Sequence, residues 1–479
     1  MNRCLKILGI IVVSILLTGT TQSSDDSVPN ELELVWSYKT SSNVESVSIS
    51  ADGSYTAVGS GDKVYLLDRD GKVLWSYETN FPVKYVSISA NGNYTAVGDA
   101  GKSYPIPKGK AYFLNKEGDL LGTVEGNAVS SVSISEDGSR ALTYMHGLGW
   151  WDIVIFYPSE NETKSWHYTI GWAKTGAVSI SENGNYIAVG SAGQGLEKEG
   201  IRFYNREGKL LWKYKDIDTG YEPHYSVSIS ADGSYIIAGN DKNDKVYLLD
   251  RDGKLLWSYK TGFVEGISIS VDGSYMAVGS GDKVYLLDRN GKFLWSHDIN
   301  GISSVSISTD GNSIVVGSRD KIVYLFLKVQ ILAQRTIKNS YEVISQEKSK
   351  GVNVKEAETL LYQAENAFKK GDYSKAKEVA KQAESKALEI GKEADDANSL
   401  ISKAKFAISQ EKSKGLIITE AESLLSQAEN SFKADDYYKA KKLAEQARDK
   451  ALEISSTNLF LCCRVFLIFN FQVPIFNEF

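Results

Sequence analysis

Cysteine and histidine are scarce in this chain, which has three cysteines and four histidines among 479 residues. The cysteines are Cys4, Cys462 and Cys463, so more than four hundred central residues contain no thiol. We therefore expect a core held by apolar packing and not by a disulfide framework. The four histidines stand singly in separate segments, without the spacing of a metal site. The sequence predicts no bound metal.

An excess of positive charge is also missing, since 54 basic and 60 acidic residues give a formal net charge of −6. This balance argues against a nucleic-acid partner. A long apolar run is missing at the N-terminus, where Ile7–Leu17 follows Arg3 and Lys6 and precedes small polar residues. Residues 1–23 have the layout of a secretory signal peptide. An uncleaved membrane anchor is the alternative.

What the chain has in abundance is a repeat of about forty residues, a period typical of propeller blades. Its clearest copy, Val47–Tyr77, reads VSISADGSYTAVGSGDKVYLLDRDGKVLWSY, with four short β-type runs separated by Asx-Gly turns. The glycine of the first turn marks seven copies, at Gly53, Gly92, Gly138, Gly184, Gly233, Gly273 and Gly311. We interpret the alternating serines Ser48 and Ser50 as small packing residues between blades and not as nucleophiles.

The last copy, Val305–Lys328, lacks its fourth run, but a matching run stands at the other end of the repeats as Leu34–Tyr38. Pairing of Leu34–Tyr38 with Ile322–Leu327 would complete the last blade and remove an open sheet edge. The sequence therefore predicts a mainly β fold: a seven-bladed β-propeller over residues 31–328, followed by an α-helical repeat region.

The first two runs of each copy resemble WD-repeat blades, and the third and fourth, KVYLLDRDGKVLWSY, resemble the repeats of quinone-dependent dehydrogenases. For the dehydrogenases the resemblance implies a quinone in the propeller centre, a calcium ion, an acidic base and often adjacent cysteines within the propeller. Here Cys462 and Cys463 lie outside the propeller, and Asp52, Asp68 and Asp70 are turn formers that recur in most copies. We therefore predict that the protein is not an enzyme and has no cofactor.

From Val329 onward the pattern becomes helical. Residues 344–390 recur at 408–454, an offset of 64, and the segment AFKKGDYSKAKEVAKQA resembles the inter-helix junction of tetratricopeptide repeats. Gly371-Asp372 predicts a helix end followed by an N-cap, and Asp435-Asp436 takes that place in the second copy. The period differs from the 34 residues of that family, so residues 329–455 are predicted to form a charged stalk or small bundle. A dedicated recognition module is the alternative.

Residues 456–479 form a hydrophobic tail of uncertain meaning. The tail contains Arg464 and Pro474, and a central arginine is costly in a membrane. A membrane anchor and an out-of-frame end both remain open. Membrane association is therefore possible through the N-terminal segment or through this tail.

The candidate site is a face of the predicted propeller on which connections between second and third strands lengthen. The lengthened connections are Asp99–Lys110, Tyr144–Trp151, Ser191–Gly200 and, more modestly, Asn240–Lys245, and the loop Lys215–Tyr225 emerges on the same face. These segments and their neighbours carry aromatic and histidine residues beyond the needs of the repeat, namely Tyr104, His146, Trp150, Trp151, Trp172, Tyr221 and His224. Aromatic side chains on rigidly held loops favour ligand binding. Asn161 begins an Asn-Glu-Thr sequon in a predicted turn and is a candidate glycosylation site.

These features predict an exported, non-enzymatic propeller that binds or scaffolds a protein or glycan at the cell surface or in the periplasm. A quinone-dependent or hydrolytic propeller enzyme is one alternative. A structural component of the cell envelope is the other, in which the aromatics pack the loops onto the propeller.

Overall fold

The computed structural model describes residues 31–469, except residues 100, 102–108, 127, 137–138, 147–149, 158–163, 172, 194–199, 215–224 and 241–243. The predicted signal segment and residues 470–479 lie outside the described residues. The chain divides into two compact units, Met1–Val329 and Gln330–Phe479. The first is built of strands and the second of helices.

The described strands form seven antiparallel sheets of four strands each. Six sheets are continuous in the chain, and the seventh combines the first strand with the last three. In chain order the strands are β1 (Leu32–Lys39), β2 (Val44–Ile49), β3 (Tyr55–Ser60), β4 (Lys63–Asp68), β5 (Val73–Glu78), β6 (Val83–Ile88), β7 (Tyr94–Asp99), β8 (Gly109–Asn115), β9 (Leu120–Gly126), β10 (Ala128–Ile134), β11 (Arg140–His146), β12 (Trp150–Tyr157), β13 (Lys164–Gly171), β14 (Ala173–Ile180), β15 (Tyr186–Gly193), β16 (Gly200–Asn205), β17 (Leu210–Tyr214), β18 (Tyr225–Ile229), β19 (Tyr235–Asn240), β20 (Lys245–Asp250), β21 (Leu255–Lys260), β22 (Val264–Ile269), β23 (Tyr275–Ser280), β24 (Lys283–Asp288), β25 (Phe293–Asp298), β26 (Ile302–Ile307), β27 (Ser313–Ser318) and β28 (Ile322–Lys328).

The sheets are arranged as the blades of a propeller. The first strand of each sheet packs beside the first strand of the next, and β26 of the last sheet packs beside β2 of the first. Alternating Val and Ile side chains of these inner strands, such as Val47 and Ile49, are buried between neighbouring blades. The prediction of a mainly β propeller followed by helices is confirmed.

The last blade is completed by the N-terminal strand, as predicted. Strand β1 pairs antiparallel with β28 from Leu32 opposite Lys328 to Lys39 opposite Ile322. Backbone hydrogen bonds continue the pairing at both ends, from Val329 N to the Glu31 carbonyl and from Thr40 N to the Lys321 carbonyl. The chain thus covers the edge of β28 that would otherwise remain unpaired.

Six of the seven outer strands contain a β-bulge at the same place, directly before the tryptophan position. The bulge inserts one unpaired residue, for example Val35 in β1 and Leu74 in β5. A bulge in an edge strand disfavours the addition of a further strand.

The second unit contains five described helices: α1 (Val329–Ser349), α2 (Lys355–Lys369), α3 (Tyr373–Ser413), α4 (Thr419–Lys433) and α5 (Tyr437–Phe469). Helix α3 belongs to both sequence repeats, since its first half packs with α2 and its second half continues toward α4. Alanines form much of the core between the helices, with Ala376, Ala380 and Ala383 of α3 fully buried. Their counterparts in α5, such as Ala440, are buried in the same way.

Both predicted caps are present. The Asp372 carboxylate accepts a hydrogen bond from Lys375 N, and that of Asp436 accepts one from Lys439 N. Helix α5 does not end at residue 455, where the helical region was predicted to stop, but continues to Phe469. In the part of the chain that the structure describes, no helix is long and apolar enough to span a bilayer.

Candidate functional site

The propeller has two faces with different construction. The turn face carries the connections between first and second and between third and fourth strands, for example around Gly53 and Gly71. The loop face carries the other connections, for example around Gly61 and Asn80. The predicted binding residues belong to the loop face.

The polar side chains of the turn face are used by the fold itself. In the first blade, Ser50 Oγ accepts a hydrogen bond from Tyr55 N (3.0 Å) and donates one to Asp52 Oδ1 (3.0 Å). The same carboxylate oxygen accepts from Ser54 N at 2.9 Å. The Ser-to-Asx bond recurs in five other blades, at Ser89–Asn91, Ser181–Asn183, Ser230–Asp232, Ser270–Asp272 and Ser308–Asp310.

Three of the turn aspartates, Asp52, Asp232 and Asp272, have a pKa below the usual value. Burial raises the pKa of Asp272, but hydrogen bonds from Ser274 and Ser270 and the nearby Arg289 guanidinium outweigh burial and leave the pKa below its usual value. The Arg289 side chain also donates to backbone carbonyls of the same turn and lies 4.8 Å from the ring centre of Tyr235 in the preceding blade. The Asp272 turn is therefore bonded internally, and Arg289 balances its charge.

The serines of the innermost strands connect neighbouring blades. Ser46 Oγ accepts a hydrogen bond from Val86 N, and Ser48 Oγ accepts one from Ile88 N, both at 3.1 Å. An innermost strand has a partner strand on one side only, so half of its N–H groups need another acceptor. Equivalent bonds are accepted by Ser87, Ser131, Ser133, Ser228, Ser268, Ser304 and Ser306. Ser48 thus lies between blades as predicted and adds a hydrogen bond across the interface. Ser50, for which the same role was predicted, instead makes its hydrogen bonds within its own turn.

The outer-strand tryptophans make a second connection between blades. Trp75 Nε1 donates to the Lys116 carbonyl in the next blade at 2.8 Å, and its ring covers the turn glycine Gly118. Trp36, Trp212 and Trp257 make the same contact with their following blades. The second blade has Gly122 in this position, where an added Cβ would meet nothing within 4 Å.

The structure changes the bounds of two predicted loops on the loop face. The second and fourth blades have longer connections than the first, with β8 beginning at Gly109 and β16 at Gly200, but Ser191–Gly193 of the predicted fourth-blade connection belong to strand β15. In the third blade, however, Tyr144–Trp151 is not a loop, because His146 pairs with Trp150 and Met145 with Trp151 in the β11–β12 hairpin. Aromatic residues favour strands, and here they lengthen the hairpin. Only residues 147–149 remain as its connection.

Four predicted binding residues, Tyr104, Trp172, Tyr221 and His224, lie outside the described residues, as does the sequon residue Asn161. His146, Trp150 and Trp151 lie in strands, at the end of the β11–β12 hairpin on the loop face. The backbone positions of these three residues are therefore close together.

Four charged residues near the propeller axis form a site that the sequence analysis missed. This axial charge cluster consists of Glu45, Lys84, Glu265 and Arg319. Lys84 Nζ lies 2.9 Å from Glu45 Oε2, and Arg319 binds Glu265 through two hydrogen bonds of 3.0 and 2.9 Å. Each pair joins two neighbouring blades.

The electrostatics of the axial charge cluster follow from these pairs. Hydrogen bonding to Glu265 raises the pKa of Arg319, and the Glu45 carboxylate adds to that effect. Burial, and then the charge of Glu45, raise the pKa of Tyr85. A sequence signal did exist, because Glu45, Lys84 and Glu265 place a charged residue at the same position of three inner strands.

The long connection of the second blade starts from a buried carboxylate. Asp99 accepts hydrogen bonds from Lys110 N (2.8 Å) and from Tyr112 OH (3.1 Å), which joins the two ends of the connection. Tyr112 OH in turn accepts from Asn80 N at 3.0 Å. Burial is the main cause of both pKa shifts at this site: the pKa of Asp99 is raised, and that of Tyr112 is raised to about 12. These hydrogen bonds thus hold together the two strand ends from which the connection starts and to which it returns.

The helical unit contains an open groove of about 520 Å³ where its two repeats meet. On one side of the groove, Asn353 Nδ2 donates to Asp435 Oδ2 at 2.8 Å, and Tyr437 OH donates to Asp435 Oδ1 at 3.2 Å. Lys386 and Glu356 form a 3.5 Å ion pair on the other side. Cations and anions are mixed along this groove, so it does not favour a ligand of one charge.

Comparisons with known proteins agree with this architecture. Residues 197–361 match the family model described as outer membrane protein assembly factor BamB, and residues 26–205 match a family of unknown function (DUF5711). Each model covers less than half of the chain. A search of curated proteins found no match.

Among solved structures, the chain is similar to the β-propeller domain of Myceliophteria thermophila Cps50 (Swd1), with a TM-score of 0.50 and 12% identity. The match covers 62% of this chain and 99% of that one, and at this identity it shows the fold alone. The chain is therefore a β-propeller with BamB-like repeats and C-terminal helices. Within the described residues, no group of three or more His, Cys, Asp or Glu side chains is arranged to hold a metal ion.

Proposed function

We propose that this protein is an exported, non-enzymatic binding or scaffolding module whose loop face binds a protein or glycan at the cell surface or in the periplasm. One observation carries the proposal: the recurring Ser and Asx side chains of the turn face are used in the hydrogen bonds of the fold, whereas the connections that depart from the repeat emerge on the loop face. Folding does not require these departures from the repeat. We therefore expect recognition at the surface that carries them.

The comparisons support the same direction. The family model that matches residues 197–361 is described as an outer membrane protein assembly factor. The sequence features of residues 1–23 agree with export. Both support a binding role in the envelope, without naming a ligand.

The geometry of the loop face supports a preformed site. Asp99 fixes the ends of the long connection in the second blade, and the axial charge cluster fixes the inner strands around it. Trp150 and Trp151 extend a strand hairpin at this face, which holds their backbone more firmly than a loop would. A rigid support lowers the entropy lost when a ligand binds.

The test uses Trp151→Ala and Trp172→Ala, screened against glycan arrays and against proteins extracted from the cell envelope. Each variant should bind at least about 2 kcal/mol more weakly while its melting temperature hardly changes, as for a residue at the centre of a binding surface. Trp75→Ala is the matched control, because its indole joins two blades and its loss should lower the melting temperature and leave binding intact. If Trp151→Ala and Trp172→Ala lose stability like Trp75→Ala and bind normally, the aromatics pack the loops.

That result would favour the structural envelope component. The enzymatic alternative predicts that the purified protein carries a quinone chromophore or calcium. Absorption spectroscopy and elemental analysis of the purified chain test this directly.

A further inference from the structure

The second blade has an exposed asparagine in its first turn, on the turn face. The turn between β6 and β7 ends with Asn93, because strand β7 begins only at Tyr94. Asn93 therefore lies in the turn and not in the strand, and its side chain is exposed. Together with Tyr94 and Thr95 it forms an Asn-Tyr-Thr sequon, the acceptor sequence for N-linked glycans in exported proteins.

In four other blades the fold holds the side chain at this position. Ser54 of the first blade donates a hydrogen bond to Asp52 Oδ2 at 2.6 Å and accepts one from Arg69 Nη2 at 2.8 Å. The turn aspartate also binds the equivalent residue in three further blades, namely Ser234, Ser274 and Asn312.

Two differences in the second blade leave Asn93 without these partners. Asn91 stands in the place of the aspartate, and its side-chain oxygen accepts a hydrogen bond from Asn93 N at 2.9 Å, while its side-chain nitrogen donates to the Glu136 carbonyl at 3.3 Å. Lys116 stands in the place of the arginine, and its Nζ lies 4.9 Å from the ring centre of Tyr55. Within the described residues, the Asn93 side chain makes no hydrogen bond. The fold thus leaves this amide free.

We infer that Asn93 is a site of N-linked glycosylation on the turn face. In the reaction, the side-chain nitrogen of Asn93 attacks the anomeric carbon of a sugar carried on a lipid phosphate. A C–N bond forms, the C–O bond to the phosphate breaks, one amide proton is released to solvent, and the lipid phosphate leaves. This inference rests on the export part of the proposed function and does not depend on the ligand of the loop face.

Transfer of the glycan and folding of the blade set different requirements. Thr95 is only 2% exposed in the folded blade, so a transferase must bind the sequon before β7 joins its sheet. The folded protein must then accommodate the product. A free and exposed amide outside the strand meets this requirement, because its modification breaks no hydrogen bond of the fold. The glycan then stands on the turn face and leaves the loop face open.

The fourth blade contains a natural control for this site. Asn185 is exposed in the equivalent turn, and its N–H donates to Asn183 Oδ1 at 3.0 Å, as in the second blade. Both turns read Asn-Gly-Asn-Tyr, but Thr95 follows in the second blade and Ile187 in the fourth. Asn185 lacks only the hydroxyl residue of the sequon, so we expect it to remain unmodified.

The experiment isolates the full chain from the exported fraction of its source cells and measures its tryptic peptides by mass spectrometry. Trypsin releases Asn93 in the peptide Tyr85–Lys102, which contains no other sequon. The wild-type peptide should carry the added mass of a glycan, and fragmentation should assign this mass to Asn93. Thr95→Ile should abolish the added mass, and Thr95→Ser should retain it. Ile187→Thr should add a glycan at Asn185, because its turn then has the same sequence as the turn of the second blade.

Melting curves verify that each variant is folded, and other blades already have threonine or isoleucine at this strand position, as Thr56 and Ile236 show. An unmodified Asn93 in exported protein would overturn this inference and leave the proposed function intact. Protein found only in the cytoplasm would overturn both. A glycan that persists on the peptide in Thr95→Ile would also overturn the inference, as would an unmodified Asn185 in Ile187→Thr.

Discussion

Replacing Trp36 by alanine tests whether strand β1 closes the propeller energetically as well as geometrically. Trp36 lies in the seam between the last and the first blade. Its Nε1 donates to the Arg69 carbonyl at 2.9 Å, and its ring lies over Gly71, where an added Cβ would be 2.8 Å from the indole. The substitution removes both contacts and leaves the pairing of β1 with β28 intact.

The expected loss follows from these contacts. Truncation of a fully buried Trp costs about 3–5 kcal/mol, and Trp36 is only half-buried, so about 2 kcal/mol is expected from the ring. The hydrogen bond adds about 0.5–1.5 kcal/mol. The free energy of unfolding should therefore fall by about 3 kcal/mol, measured by denaturant titration followed by circular dichroism. Trp36→Phe keeps most of the ring contact and should lose only about 1 kcal/mol.

Trp75→Ala provides the comparison, since Trp75 makes the same contact between two blades that are consecutive in the chain. Similar losses for the two variants would show that the closing seam is as tight as an internal one. Deletion of residues 31–39 should go further, because it exposes the edge of β28 and promotes aggregation. Wild-type stability of Trp36→Ala, beside a destabilised Trp75→Ala, would refute the reasoning.

Three further outcomes are expected. Gly122→Ala should raise the free energy of unfolding by about 0.4–1 kcal/mol, because the added Cβ would meet nothing within 4 Å. Gly59→Ala should lower the free energy of unfolding by about 1–3 kcal/mol, since the added Cβ would lie 2.5 Å from Val83. Equal stabilities of the two variants would contradict this prediction. Burial lowers the pKa of Lys328 in the folded protein to about 8, whereas a lysine in the unfolded chain has a pKa of roughly 10.4. Between these values the unfolded chain binds more protons than the folded protein, so the free energy of unfolding should rise from pH 8 toward pH 10. Lys328→Met should remove this rise in stability. Lys116→Met is the control, because it alters an exposed lysine that also stacks on a tyrosine, and it should keep the rise. Denaturant titration of both variants at each pH measures the difference. Cleavage near Thr20–Ser23 should leave a mature protein that begins shortly before Val28. N-terminal sequencing of exported protein tests this, and an intact Met1 would identify the segment as an anchor.

The propeller was predictable because its information is local and repeated. Alternating apolar residues and Asx-Gly turns specify each blade, and the missing fourth run of the last copy pointed to Leu34–Tyr38. The caps at Asp372 and Asp436 were predictable for the same reason, since a cap depends on a few adjacent residues. The third-blade hairpin was misassigned as a loop because its aromatic residues depart from the repeat, although they are strand formers.

The axial charge cluster could not be found this way. Glu265 and Arg319 are 54 residues apart, and they meet only because neighbouring blades bring an inner strand and a turn together. Such a pair has no motif and becomes visible only after the blades are placed in a ring. The connections that carry Tyr104, Tyr221 and His224 lie outside the described residues, so their role in binding remains a prediction.

The position of the closing strand also determines how the protein responds to mechanical force. Glu31 and Val329, where the chain enters and leaves the propeller, are joined by a hydrogen bond at one end of the β1–β28 ladder. Tension applied between these two points would load the ladder one rung at a time from that end, as in opening a zipper. The last blade would open while the other six, whose strands are continuous in the chain, carry no load. A protein tethered at its N-terminus and pulled through its helices would therefore lengthen in a first step confined to one seam.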